Sequence, residues 1–131
     1  MQAVILRPNT IKPHDRGGGA RTYALVTSEI GSRSLLNGIT EFAPRASIPL
    51  HKHNCEESVI VLDGEAIVEI DGVLTPMRAN DTTWVPADIP HRFINASSEH
   101  PMRIFWTYAS IQATRTLMAT GEVRPVDSER S

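Results

Sequence analysis

The sequence predicts an all-β domain, a sandwich or barrel, on three observations. Short runs enriched in Val, Ile, Thr and aromatic residues recur along most of the 131 residues, separated by turn-forming residues. Asp-Gly pairs stand at Asp63–Gly64 and Asp71–Gly72, and Asp-Gly between strands favours a hairpin because a type I′ turn needs positive φ at both central positions. Within "EAIVEI", Ala66, Val68 and Ile70 share one face while Glu65 and Glu69 share the other, the period of two of a strand with one buried side.

Taken in order, the chain opens with an expected short strand near Ala3–Leu6 and a Pro- and Gly-rich loop, "RPNTIKPHDRGGGA". Gly17–Gly19 has no lysine placed to cradle a phosphate and reads as a flexible loop or lid. Strands are then expected at "TYALVT", "SLLNGITEFA", "SIPLHKH", "SVIVLDG", "EAIVEIDG", "VLTPM", "DTTWVPA", "HRFINA" and "MRIFWTYA". The two Asp-Gly pairs would join the central ones as an antiparallel meander, with Ile67 as an apolar exception on the outward face. Only "ASIQATRTLMATGE", from Ala109 to Glu122, reads as a short C-terminal helix, ending at Gly121, and the polar "VRPVDSERS" reads as a frayed end.

This length suits one domain, residues 1–131 with a core over about residues 22–110. A formal charge of -2 without runs of like charge gives no basic field for a phosphate backbone, so no nucleic-acid partner is expected. The single cysteine, Cys55, cannot form an intramolecular disulfide, and no secretory signal or membrane span is read, which makes the cytoplasm the expected compartment.

"PLHKHNCEESVIVLDG" carries the chemistry. On a strand, His51 and His53 project from the same face. Glu57 follows a turn long enough to return its carboxylate to the same place, and His91 heads a later strand. An HxH pair alone is commonly a solvated strand end; three neutral nitrogens and an anionic oxygen suit iron, nickel, manganese, cobalt or zinc. In an octahedral shell they leave two cis positions open.

The spacing resembles the cupin superfamily, small single-domain type. Its first motif, G(X)5HxH(X)3,4E(X)6G, is matched by "RASIPLHKHNCEESVIVLDG", with His51, His53, Glu57 and Gly64 in place. The second, G(X)5PxG(X)2H(X)3N, is similar to "NDTTWVPADIPHRFIN", with Pro86, His91 and Asn95. Arg45, Asn80 and Asp88 stand where that pattern has glycine. Asn and Asp best tolerate a left-handed turn; Arg45 puts only its own turn in question. The resemblance implies a double-stranded β-helix, the jelly-roll cupin barrel, holding one divalent transition metal on those four side chains. It implies no particular reaction, since the superfamily includes dioxygenases, decarboxylases, isomerases and epimerases as well as members that only bind.

Three further residues are candidate pocket lining. Cys55 lies in the ligand loop, with a ligand or redox role as the alternative to a packed thiol. Phe93 shares parity with His91 and Asn95. Arg103 would meet an anionic substrate if its face of "MRIFWTYA" looked inward, and would form a surface ion pair otherwise. Glu56 lies one residue off the ligand face, and His14 and His100 read as surface histidines. The expected function is a metal-dependent enzyme of dioxygenase, decarboxylase or isomerase type on an oxyacid or sugar-like substrate; the alternative is a non-catalytic metal- or ligand-binding sensor. No residue beyond the ligands is identified as a catalytic acid or base. A homodimer is expected because "RIFWTYA" is apolar on both faces and Ile67 points outward.

Overall fold

A computed structural model describes residues 2–127 as two antiparallel sheets. The strands are β1 (His14–Gly17), β2 (Ala20–Val26), β3 (Leu36–Phe42), β4 (His51–His53), β5 (Glu57–Asp63) and β6 (Ala66–Ile70). They continue as β7 (Val73–Met77), β8 (Thr82–Val85), β9 (His91–Asn95), β10 (Met102–Tyr108), β11 (Thr114–Leu117) and β12 (Val123–Pro125). One sheet runs β1-β2-β3-β10-β5-β8 and the other β12-β11-β4-β9-β6-β7. Each is a separate hydrogen-bonded set, so the described residues form an open pair of sheets rather than a closed barrel. Their facing sides carry one apolar cluster, in which Phe42, Val61 and Met102 from the first sheet meet Ala66, Val68 and Phe93 from the second.

All nine strands expected from the "TYALVT" run onward form. The second Asp-Gly pair makes the expected hairpin: Asp71 and Gly72 have φ of 50° and 84°, and Ile70 pairs with Val73. The first does not. β5 pairs with β8 and β10, whereas β6 pairs with β7 and β9, so Asp63–Gly64 carries the chain from one sheet to the other. Gly64 is needed there for room as well as for its φ of 90°, since a Cβ would lie 2.7 Å from the Pro101 carbonyl oxygen. A meander through this region is therefore corrected to a crossing pair.

Other expectations change as well. Residues 3–6 are irregular, and the first element is a 3-10 turn at Pro8–Thr10. Gly17–Gly19 closes the β1–β2 hairpin rather than a free loop. No α-helix forms among the described residues: the segment read as helical holds β11, which pairs with β4 on one side and β12 on the other. The "VRP" of the expected frayed end is β12, while Ser128–Ser131 lie outside the described residues.

Arg45, Asn80 and Asp88 all adopt positive φ, at 63°, 77° and 67°. The turns expected of glycine are kept by residues that pay a steric cost for them. Asp88 also donates its N–H to the His53 carbonyl oxygen at 2.7 Å, tying the loop before His91 to the strand that carries His53.

Candidate metal centre

The ligand strands place four side chains in one enclosed space. His51 and His53 are the inward residues of β4, His91 pairs with His51 at the head of β9, and Glu57 begins β5 in the opposite sheet. All four are buried, none more than 5% exposed. The three imidazoles each offer a nitrogen within 4.8 Å of the others, and their ring centroids are 4.6–5.1 Å apart.

The rings are oriented from behind. Nδ1 of His51 donates to the Pro49 carbonyl oxygen at 2.7 Å, Nδ1 of His53 to that of Thr114 at 2.9 Å, and Nδ1 of His91 to that of Ile89 at 2.8 Å. Three backbone acceptors thus fix one tautomer and leave Nε2 of each ring as the ligating atom, the arrangement that orients metal-binding histidines. His91 Nε2 lies 2.8 Å from Glu57 Oε1, and His53 Nε2 lies 3.8 Å from Glu57 Oε2. Nε2 of His53 is buried with no hydrogen-bond partner. A buried imidazole nitrogen without a partner is costly, and a cation between these rings and the carboxylate would remove the cost. The residues present fit a metal.

Electrostatics agree. Burial lowers the pKa of His53 to about 4, with Glu57 opposing and the charges of His91 and Arg115 adding to the fall. Burial likewise holds His51 well below the usual imidazole value, helped by the charges of His53 and Arg115. Burial works against the Glu57 charge, but hydrogen bonds from His91 and Tyr108 and the neighbouring histidine charges outweigh it and hold the carboxyl below its ordinary value. Burial also disfavours the His91 imidazolium, and the Glu57 hydrogen bond reverses this and raises its pKa. This buried set of three histidines and one glutamate is suited to a single divalent transition metal and to a metal-dependent enzyme of this fold.

Two residues beside the ligands escaped the sequence reading. Tyr108 pairs with Glu57 across β10 and β5 and sets its ring edge-on to His53 at 4.6 Å. Its hydroxyl donates to Glu57, and burial raises its pKa far above the usual phenol range. Arg115 pairs with His53 across β11 and β4 and is 8% exposed. It donates to the Tyr108 oxygen, and burial lowers its pKa to about 10. The parity of β10 was open in the sequence; an arginine on a segment read as helical gave no sign of facing a metal site.

The other candidates take varied positions. Phe93 is buried in the apolar cluster. Arg103 is on the outer face of β10, half-buried and paired with Asp63 at 2.8 Å, because Met102, Ile104, Trp106 and Tyr108 take the inward positions. Cys55 is half-buried against the core, and burial raises its thiol pKa. Glu56 accepts from Trp84 Nε1 at 2.7 Å. Asn95, of the second motif, is a tether: its amide donates to the carbonyl oxygens of Phe42, Ala43 and His100, and its oxygen accepts from Ser97 N–H.

Comparison with known proteins places these features in context. The chain is 30% identical over 106 residues to "Polyketide synthase CurC" of Streptomyces cyaneus, covering 80% of this chain and 69% of that protein. It is 36% identical over 75 residues to "Dimethylsulfoniopropionate lyase DddW" of Ruegeria pomeroyi, covering 56% of this chain and 49% of that one. The polyketide cyclase RemF from Streptomyces resistomycificus superposes with a TM-score of 0.76 over 95% of this chain and 86% of its own, at 18% identity, a likeness of fold. Residues 38–108, which include all four candidate ligands, match the Cupin domain family, and the chain belongs to the cupin superfamily.

Proposed function

We propose that the protein is a metal-dependent enzyme acting on a small oxygen-bearing molecule, with His51, His53, Glu57 and His91 as the ligands. The observation that carries this reading is His53 Nε2, buried without a hydrogen-bond partner and facing Glu57 and two other imidazoles. A bound divalent cation would polarise a substrate carbonyl and stabilise the negative charge that develops on it. The chain's own residues prepare for this. Backbone carbonyls hold the rings, burial limits water, and Glu57 is kept ionised. Four protein ligands leave an octahedral shell open at two positions, which suits substrate binding better than a closed structural site. Two relatives, a polyketide synthase and a dimethylsulfoniopropionate lyase, support an enzyme that acts on a small organic molecule.

The test is metal analysis of the untagged protein, followed by a screen of oxyacids, catechols and keto sugars with each candidate metal restored. One metal per chain and turnover lost on His51→Ala are expected. A chain that takes up none of these metals would overturn the reading.

A homodimer and a cytoplasmic location belong to the same proposal. Among the described residues no helix is long and apolar enough to cross a membrane. The outer face of the first sheet carries Phe105 between Ile39 and Ile60, and Trp84 is 65% exposed on β8. A second copy covering that face would give sedimentation at twice the 14.4 kDa of one chain; the single-chain mass would exclude it.

A further inference from the structure

One row of inward-facing side chains leads from the ligands out to solvent. Across the second sheet His51 pairs with His91, His91 with Ile70, and Ile70 with Val73, a single cross-strand row over β4, β9, β6 and β7. Antiparallel partners put their side chains on the same face, so Ile70 and Val73 share the face of the two imidazoles. Exposure climbs along the row: both histidines are buried, Ile70 is half-buried, and Val73 is 64% exposed. In the other direction the row stops at Leu117 of β11, which is half-buried. With neighbouring strands about 4.8 Å apart, Val73 stands about 10 Å from His91.

An isolated exposed valine on an outer surface is ordinary. Val73 differs because its face is the one that β7 turns into the core elsewhere. Met77, four residues on and on the same side, is 7% exposed, while Thr75 between them is exposed. β7 pairs Val73 with Ile70 at the end nearest His91, and Met77 with Ala66 at the other. The inward side of this edge strand is therefore covered at the far end of the sandwich and bare at the metal end. The bare part is held in place: Asp71–Gly72 closes the β6–β7 hairpin, and Asp71 donates its N–H to the Pro90 carbonyl oxygen at 2.9 Å, tying the hairpin tip to the segment that enters His91. Beyond His91 the row offers neither charge nor a hydrogen-bonding side chain. Apolar wall running continuously into a few polar groups is the usual make-up of a site for a small organic molecule.

We propose that Ile70 and Val73 seat the hydrocarbon arm of a substrate whose oxygen-bearing head lies at the metal ligands. This rests on the metal-centre reading and narrows it: the substrate is amphiphilic, with an apolar body reaching about 10 Å from the head. A sugar hydroxylated along its length gains nothing from this wall, so Val73 acts as a specificity-determining residue.

The experiment loads the purified full chain with cobalt(II) and measures metal content. It then titrates acetohydroxamate and octanohydroxamate by calorimetry, following the visible cobalt spectrum; the two present the same pair of oxygens to a metal and differ only in hydrocarbon. Each fully covered methylene tightens binding by about fourfold, so octanohydroxamate should bind at least about tenfold tighter even with one side of its chain in water. Val73→Asp should lose most of that gain. Leu74→Asp, at a neighbouring side chain that is 62% exposed on the opposite face, should keep it. The wild-type comparison stands even where a variant does not fold. Cobalt bound at one per chain with equal or absent affinity for the two hydroxamates overturns the arm site and leaves the metal centre standing. So does a gain that survives Val73→Asp or is lost equally in Leu74→Asp. Equal affinities together with sedimentation showing a dimer that Val73→Asp dissociates would assign this edge to a second copy instead. A chain that binds no cobalt, nor any other candidate metal, overturns the metal centre and the arm site with it.

Discussion

Glu57 keeps its charge in an enclosed position because His91 Nε2 lies 2.8 Å from its Oε1. That pairing predicts the result of removing the charge alone. Glu57→Gln should weaken metal binding by at least about tenfold, since even residues one shell further out are worth roughly 10- to 100-fold in affinity. Competition against a chromogenic chelator measures it. An unchanged affinity would show that the carboxylate is not a ligand.

Metal-free protein should lose stability as the pH falls from 7 to 5. His53 has a folded pKa of about 4 against an ordinary 6.5, so below 6.5 the unfolded chain takes up a proton that the folded one refuses. The loss grows until the pH nears 4 and reaches roughly 3 kcal/mol for this group. His51 acts in the same direction. His91 opposes them: its raised pKa adds stability below 6.5 that fades as the pH rises through the folded value. Glu57, with its lowered pKa, contributes above 4.5 and is lost only as the pH falls through its folded value. Two imidazoles outweigh one. Urea unfolding of chelator-treated protein at both pH values should show the decline, and His53→Gln should flatten it.

Gly38→Ala should destabilise the first sheet. A Cβ at Gly38 would lie 2.5 Å from Trp106 Cζ2 and 2.5 Å from the Tyr23 carbonyl oxygen. The second neighbour is backbone, so the ring cannot resolve the clash alone. A loss of about 2–3 kcal/mol is expected from overpacking of this kind. A urea midpoint within error of the parent would contradict the packing described for β2, β3 and β10.

Arg45→Gly should stabilise the protein. Arg45 holds φ of 63° in a turn, and the left-handed region costs a non-glycine residue about 1–2 kcal/mol. Part of that gain is offset by the greater freedom of glycine in the unfolded chain, leaving about 0.5–1 kcal/mol. The melting temperature should rise by roughly 2–5 °C, as calorimetry would record. A fall would mean that the Arg45 side chain contributes more than its backbone costs.

Much of this was legible in the sequence because it is local. Runs of β-branched and aromatic residues between turn signals found nine strands, and the HxH spacing put His51 and His53 on one face. Pairing partners are not local. Asp63–Gly64 has hairpin chemistry, but whether two strands pair or part depends on β10 and β9, far along the chain. β11 was missed for the same reason: its four residues are a strand because β4 and β12 flank them, and "TRTL" carries no strong strand pattern by itself. With β11 went Arg115. Tyr108 could be located only after β10 had shown which of its two largely apolar faces turned inward.

The site draws its donors from both layers of the fold, Glu57 from one and the three histidines from the other. Metal binding would thus act as a rivet through the sandwich, joining strands that share no backbone hydrogen bonds. Parting the layers would require breaking coordination at the same moment, so occupancy should govern how fast the protein comes apart as much as how it reacts. Amide exchange in β4, β5 and β9 would slow together on metal loading, and a cell short of the metal would hold a chain that is both idle and more readily degraded.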